Sequence, residues 1–127
     1  MMRRILLVST DGVVLNLLTK KFALIGIEIH TLAKPELLFK EIGIYQPDLL
    51  ILDFILKDVN AGALCHQVTS NPETKNLPVI ILSEYSEMGR FPSKFGSVAI
   101  ISKSLEPKVL IEQILAVLDD HVHPIAS

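Results

Sequence analysis

Residues 47–53 have the sequence PDLLILD, and this stretch decides the fold. Its four consecutive apolar residues, opened by Pro47-Asp48 and closed by Asp53, are typical of a short strand that is buried on both faces. Strands of this kind occur in parallel sheets, because helices cover both faces of such sheets. We therefore predict a strand over 48–53 that places the Asp53 carboxylate at the carboxyl edge of a parallel sheet.

Apolar runs on either side of this strand extend the same pattern. Four of them predict further strands, at residues 4–9, 27–32, 78–83 and 98–101. Segments with apolar residues at helical spacing lie between the strands, except that Gly89 and Pro92 interrupt any helix between the last two. This alternation of strands and helices indicates an α/β domain whose parallel sheet is covered on both faces.

Four of the intervening segments predict helices. Their core-facing residues are expected to be Val14, Leu17, Leu18, Phe22 and Ile25 in the first helix, Leu37, Leu38 and Ile42 in the second, Leu64 and Val68 in the third, and Ile111, Ile114, Leu115 and Leu118 in the last. Gly26 stands where a glycine commonly ends a helix, and Pro35 and Pro107 suit the first turns of the second and last helices. The third helix is predicted over 61–70, because Asn71-Pro72 breaks it.

The composition of the chain restricts the classes of function. Its 127 residues suffice for one domain, and half of them are hydrophobic while only 20% are charged, which excludes a disordered chain. A net charge of −2 gives no electrostatic basis for binding nucleic acid or an anionic membrane. The single cysteine excludes an internal disulfide, and the apolar run near the start is too short for a signal peptide or a membrane span. We expect a cytoplasmic domain over residues 3–120, followed by a tail over 121–127.

Polar side chains stand at the carboxyl ends of four predicted strands. They are Ser9, Thr10 and Asp11 after the first, Asp53 after the third, Ser83 and Glu84 after the fourth, and Lys103 after the fifth. In a parallel sheet these ends share one edge, where ligands and chemistry collect. A carboxylate, a hydroxyl and an ammonium are groups that can accept and hold a phosphoryl group. We therefore expect Asp53 and Lys103 to meet in one solvent-open hollow.

The chain resembles the receiver domain of two-component response regulators over nearly its whole length. The residues that carry the resemblance are PDLLILD at 47–53, the segment from Cys65 to Ser83, and Lys103. The resemblance implies a flavodoxin-like fold with strand order 2-1-3-4-5. It also implies that Asp53 accepts a phosphoryl group from a histidine kinase or a phosphotransfer protein, that Lys103 pairs with the added charge, and that Ser83 hydrogen-bonds a phosphoryl oxygen. Such a domain signals to a downstream protein partner and is not an enzyme in its own right.

The chain departs from this resemblance at the metal site. Active receivers carry two acidic residues directly after the first strand, which hold Mg²⁺ together with the phosphoacceptor, and here those positions are Ser9 and Thr10. Mg²⁺ prefers carboxylate and water oxygens, so we expect its binding at Asp53 to be weak. Asp11 is a candidate substitute ligand, although an aspartate just before an apolar-periodic stretch is typical of a helix N-cap. Ile100 also stands where active members have an aromatic switch residue.

Three other functions fit parts of the pattern. The first is a pseudo-receiver, which has the receiver fold but acts through protein contacts without phosphorylation. The second is a flavin protein, because residues 9–12 are similar to the phosphate-binding loop of flavodoxins, but Asp11 would repel a phosphate and there is no Trp to stack on a flavin. The third is a phosphatase of the haloacid dehalogenase type, which needs a second aspartate where Ile55 stands. The sequence leaves the oligomeric state open, including a homodimer.

Overall fold

Strands and helices alternate along the chain, as predicted. A computed structural model describes residues 3–56, 59–84 and 96–121. Its elements are β1 (Arg4–Val8), α1 (Gly12–Ala23), β2 (Glu28–Leu32), one turn of 3₁₀ helix (Pro35–Leu37) leading into α2 (Leu38–Tyr45), β3 (Leu49–Asp53), β4 (Ile55–Leu56), β5 (Val59–Asn60), α3 (Ala61–Ser70), β6 (Val79–Ser83), β7 (Ala99–Ser102) and α4 (Pro107–His121). The predicted interruption at Gly89 and Pro92 lies outside the described residues, as does the predicted tail apart from His121.

Five of these strands form one parallel sheet in the order β2-β1-β3-β6-β7. Counted along the chain, this is the predicted order 2-1-3-4-5, so the flavodoxin-like fold is confirmed. The short strands β4 and β5 pair antiparallel as a separate hairpin after β3. Because all five sheet strands are parallel, their carboxyl ends meet at one edge, and the pairing of Ser83 with Ser102 aligns the last residues of β6 and β7 there.

Two hydrophobic layers cover the sheet, and the strands supply residues to them alternately. Ile51 and Ile80 face α1 and α4, whereas Leu50, Leu52 and Ile81 face α2 and α3. Every residue of β3 and β6 is buried. This two-sided burial explains why those strands are continuous apolar runs rather than alternating ones.

The helices bury most of the residues that the spacing predicted, with differences at their ends. The structure buries Val14, Leu18 and Phe22 in α1, Leu38 and Ile42 in α2, Leu64 and Val68 in α3, and Ile114 and Leu118 in α4. Three others, Leu17, Ile111 and Leu115, are partly buried. Leu110, which was not predicted, is fully inside the core.

The prediction that Ile25 faces the core is wrong, because α1 ends before it. The helix stops at Ala23, and Gly26 adopts a left-handed conformation with φ of 77°. The N–H of Ile27 then bonds to the carbonyl of Phe22, and that of Gly26 to Ala23, which is the Schellman arrangement that closes a helix. This turn leaves Ile25 51% exposed.

Leu37 was also predicted to face the core and is instead 38% exposed. It belongs to the 3₁₀ turn before α2, whose spacing differs from that of an α-helix, so its side chain does not lie above Leu38 and Ile42. No described helix is both long enough and apolar enough to cross a membrane.

Candidate functional site

The carboxyl edge of the sheet holds a compact polar cluster around Asp53. Asp53 is the last residue of β3, while Ser9 and Lys103 each follow the end of a strand by one residue. The Lys103 ammonium lies 2.6 Å from Asp53 Oδ1. The Ser9 hydroxyl donates a hydrogen bond of 2.7 Å to Asp53 Oδ2. The structure thus brings Asp53 and Lys103 together, as the sequence predicts, and adds Ser9 to them.

The Asp53 carboxylate is enclosed rather than open to solvent. Its side chain is 1% exposed, and that of Lys103 is 9% exposed. Oδ1 accepts a second hydrogen bond from the backbone N–H of Ile55 at 3.1 Å. Each carboxylate oxygen therefore already has a donor, so the expected solvent-open hollow is not present. The ammonium compensates the buried negative charge, which would otherwise be strongly unfavourable at this depth.

Ser9 is the site residue whose role the sequence did not reveal. It is completely buried, and its Oγ accepts a hydrogen bond from the backbone N–H of Asp11 at 3.0 Å. The register pairs Val8 with Leu52, so the next residues of the two segments, Ser9 and Asp53, become neighbours. This adjacency could have indicated contact between the two side chains. The sequence, however, indicated only that a hydroxyl at position 9 lacks the charge of a carboxylate, and did not indicate its hydrogen bond to Asp53.

Asp11 caps α1, which is the alternative to metal binding that the sequence offered. Its Oδ1 accepts hydrogen bonds from the backbone N–H groups of Val13 and Val14 at 3.1 and 3.3 Å. Its Oδ2 lies 3.5 Å from the Lys103 ammonium. Burial acts to raise the pKa of Asp11, but the N–H of Val14, the charge of Lys103 and the N–H of Val13 outweigh it, so the pKa lies below its usual value.

The remaining polar residues of the edge divide into buried and exposed ones. Ser83 is 1% exposed at the end of β6, and its carbonyl accepts the backbone N–H of Lys103 at 2.8 Å. Thr10 and Glu84 are exposed. Ile100 packs, partly buried, against the layer beneath α2 and α3. Ser83 therefore lies inside the same edge as Asp53, while Thr10 and Glu84 project from it.

The residues of this cluster do not fit a Mg²⁺ site in the arrangement described. Among the described residues, no group of three or more His, Cys, Asp or Glu side chains could hold a metal ion. Asp53 Oδ1 contacts the Lys103 ammonium, and Asp11 Oδ1 is used by the helix cap. Mg²⁺ demands octahedral oxygen ligation, keeps several waters and binds through one or two carboxylates, and here both carboxylates are engaged by other donors.

Comparison with known proteins gives a consistent result. The model of the response regulator receiver domain family matches residues 5–115. The phosphate regulon transcriptional regulatory protein PhoB of Rhizobium meliloti is 31% identical over 87 residues, which are 68% of this chain and 38% of that protein. RcaC of Microchaete diplosiphon is 34% identical over 58 residues, 46% of this chain and 9% of that protein. The chain thus spans well under half the length of each of these relatives.

Solved structures match nearly the whole chain. A protein described as a response regulator from Chloroflexus aurantiacus superposes with a TM-score of 0.83 at 26% identity, covering 93% of this chain and 98% of that one. A CheY-like receiver domain protein from Methanospirillum hungatei gives 0.79 at 25% identity, covering 95% and 97%. TrrA of Thermotoga maritima, solved in complex with Mg²⁺-BeF, gives 0.78 at 24% identity, covering 91% and 99%, and that likeness concerns the fold alone.

Proposed function

The chain belongs to the response regulator receiver family of two-component signalling, and from that premise we propose that Asp53 is its phosphoacceptor. Receiver domains of this family interact with histidine kinases or phosphotransfer proteins, which would be the donors. The downstream partner would be another protein that contacts the domain, which we take to comprise residues 3–120. The observation that carries the proposal is the buried contact of 2.6 Å between Asp53 and Lys103 at the carboxyl edge of the sheet.

The proposed reaction is a phosphoryl transfer onto a carboxylate oxygen. An oxygen of Asp53 attacks the phosphorus of the donor's phosphohistidine, and the new O–P bond forms as the P–N bond breaks. The electron pair of that bond stays on the imidazole nitrogen, which then takes a proton from water. Asp53 suits the attack because a carboxylate oxygen is a nucleophile, and the Lys103 ammonium and the N–H of Ile55 hold Oδ1 in place while Oδ2 attacks.

Lys103 and Ser83 have supporting roles in this proposal. The Lys103 ammonium already faces Asp53, so it would pair with the phosphoryl oxygens as their charge arrives. The buried Ser83 stands at the end of the strand next to Asp53 and would donate a hydrogen bond to one of those oxygens. Since Asp53 is enclosed, the donor must first displace part of its cover, and the Ser9 hydroxyl is the neutral group on Oδ2 that can turn away.

The decisive experiment is intact-mass analysis after incubation with acetyl phosphate and MgCl₂. We expect wild type to gain one phosphoryl group and Asp53→Asn, which is nearly isosteric, to gain none. Lys103→Met should gain it more slowly, because the charge that receives the phosphoryl oxygens is missing. A mass gain that persists in Asp53→Asn would refute the assignment of Asp53.

The second candidate function is a pseudo-receiver, which binds partners without phosphorylation. A specific observation favours it: both Asp53 oxygens already accept hydrogen bonds, and the cluster lacks the carboxylates that would hold Mg²⁺ firmly. Weak Mg²⁺ binding is common to both candidates. Absence of any mass gain, with either acetyl phosphate or a phosphorylated histidine kinase as donor, would refute the first candidate and favour this one.

A further inference from the structure

We propose that Ser9 is a positioning residue that takes the place of a divalent cation at Asp53. Its hydroxyl holds Oδ2 of the carboxylate and thereby makes the arrangement of the site independent of a metal. This inference rests on the proposed phosphorylation of the same site and predicts that the reaction there needs no metal ion. The cation-binding part of it, however, is tested without any phosphoryl transfer.

The hydrogen bonds of Ser9 fix the direction of its proton. A hydroxyl has one proton to donate and two lone pairs that accept. One lone pair receives the N–H of Asp11 at 3.0 Å, and the proton lies on the line to Asp53 Oδ2 at 2.7 Å. Because Ser9 has no exposed surface, water does not compete for either bond. The hydroxyl is therefore a built-in donor aimed at the carboxylate.

A cation at Oδ2 would have to share that oxygen with the Ser9 proton. The oxygen has a second lone pair, but the positive end of the hydroxyl dipole beside it repels a cation and weakens its binding there. The other oxygen, Oδ1, already faces the Lys103 ammonium and the N–H of Ile55. No oxygen of Asp53 is thus left without a donor.

The charge of the cluster points the same way. Asp53 and Asp11 contribute two negative charges and Lys103 one positive charge, so the three groups together carry one negative charge. Asp11 shares its own charge between the helix cap and Lys103. A divalent ion therefore meets little net attraction here, and the desolvation that Mg²⁺ undergoes on binding is poorly compensated.

One substitution should reverse this balance. Ser9→Asp removes the donor at Oδ2 and adds a carboxylate beside it, so two carboxylates then face each other and a cation relieves their repulsion. Ser9→Asn is the matched control, because the Asn amide has nearly the same size as the carboxylate of Ser9→Asp, carries no charge and can still donate a hydrogen bond to Oδ2. A second variant, Ser9→Asp/Thr10→Asp, adds another carboxylate at the exposed neighbouring position of the same sheet edge.

The test is the melting temperature of each protein against MgCl₂, with NaCl of equal ionic strength as the control for screening. Wild type and Ser9→Asn should respond equally to the two salts. Ser9→Asp or the double variant should melt lower in chelator and recover specifically with Mg²⁺, with a dissociation constant at least about tenfold below that of wild type. An equal Mg²⁺-specific response in wild type, or none in either acidic variant, would overturn the inference.

Two further measurements keep the test decisive. If the acidic variants do not fold, calorimetric titration of MgCl₂ into wild type decides, because tight binding there contradicts the role given to Ser9. The rate of Asp53 phosphorylation by acetyl phosphate is then compared with and without chelator, and it should be unchanged in wild type. If no phosphorylation occurs at all, the proposed function fails, while the melting data still support or refute the role of Ser9.

Discussion

Replacing Lys103 by methionine should destabilise the fold through the charge that it leaves behind. A pair of unit charges at the 2.6 Å between Lys103 and Asp53 interacts by about 6 kcal/mol at an effective dielectric constant of about 20. Desolvation of both groups offsets much of that, and breaking a buried pair from one side typically costs ~3–5 kcal/mol. Ser9 and Ile55 still donate to the carboxylate, so we expect Lys103→Met to lose about 3 kcal/mol.

The assay is urea unfolding of a double-mutant cycle, followed by far-UV circular dichroism at neutral pH. Asp53→Asn should lower the free energy of unfolding less than Lys103→Met does, because the remaining Lys103 ammonium still has the Asp11 carboxylate at 3.5 Å and keeps some exposed surface. The double variant leaves no unpaired charge at the buried position of Asp53, so it should be more stable than the sum of the single losses predicts, by about 2 kcal/mol. Single losses that simply add would refute the interpretation that this contact is an energetically coupled pair.

Three other features of the chain give measurable predictions. Asp11→Ala should lower the free energy of unfolding by about 1 kcal/mol through loss of the α1 cap, whereas Asp11→Asn keeps most of the cap. The folded-state pKa of Asp11 is below its usual value, so wild type should have a higher free energy of unfolding than Asp11→Asn above the unfolded pKa of about 3.9. This difference should disappear as pH falls through the folded-state pKa, and urea unfolding across that pH range measures it. A difference that grows in acid would contradict the prediction. Burial raises the pKa of the Cys65 thiol to about 11. Iodoacetamide at mildly alkaline pH should therefore leave the folded protein unmodified but alkylate the thiol fully in urea. Equal alkylation rates for the folded and the unfolded protein would show that the thiol is accessible. Gly96→Ala should lower the melting temperature more than Gly26→Ala. Both glycines have a left-handed φ, but only at Gly96 would the new Cβ meet a neighbouring atom, Thr69 Oγ1 at 2.5 Å. Equal decreases in melting temperature would mean that the Thr69 side chain moves aside freely.

The sheet could be predicted because a strand that is buried on both faces needs consecutive apolar residues, which are visible in the sequence. In β3 and β6 four consecutive apolar residues precede the final Asp53 or Ser83, and the short length of each run and the proline before it favour a buried strand over a buried helix segment. The strand boundaries differ from the prediction by one residue. Ser9 lies just after the end of β1 and Asp48 just before the start of β3, whereas the sequence predicts both inside these strands. The backbone N–H of each still bonds to a neighbouring strand.

The site could be predicted as far as topology determines it. Parallel strands bring their carboxyl ends together, so the proximity of Asp53 and Lys103 follows from their places in the sequence. Exposure did not follow, because it depends on which small groups fill the space around the carboxylate. Here the Ser9 hydroxyl and the N–H of Ile55 do so, and neither has a sequence signature.

The same cluster places opposing demands on stability and on phosphoryl transfer. For the folded state, Asp53 is best satisfied as it stands, with one positive charge and two neutral donors around it. Phosphorylation replaces the single negative charge of the Asp53 carboxylate by about two on the acyl phosphate, and a single ammonium cannot balance them together with Asp11 close by. Where Mg²⁺ binds poorly, the added charge must be met by Lys103, by water admitted when Ser9 turns away, or by the donor protein itself. The phosphorylated state is therefore higher in energy here than in a site with a firmly bound cation, which favours either a kinase that supplies positive charge at the interface or signalling through the unphosphorylated form.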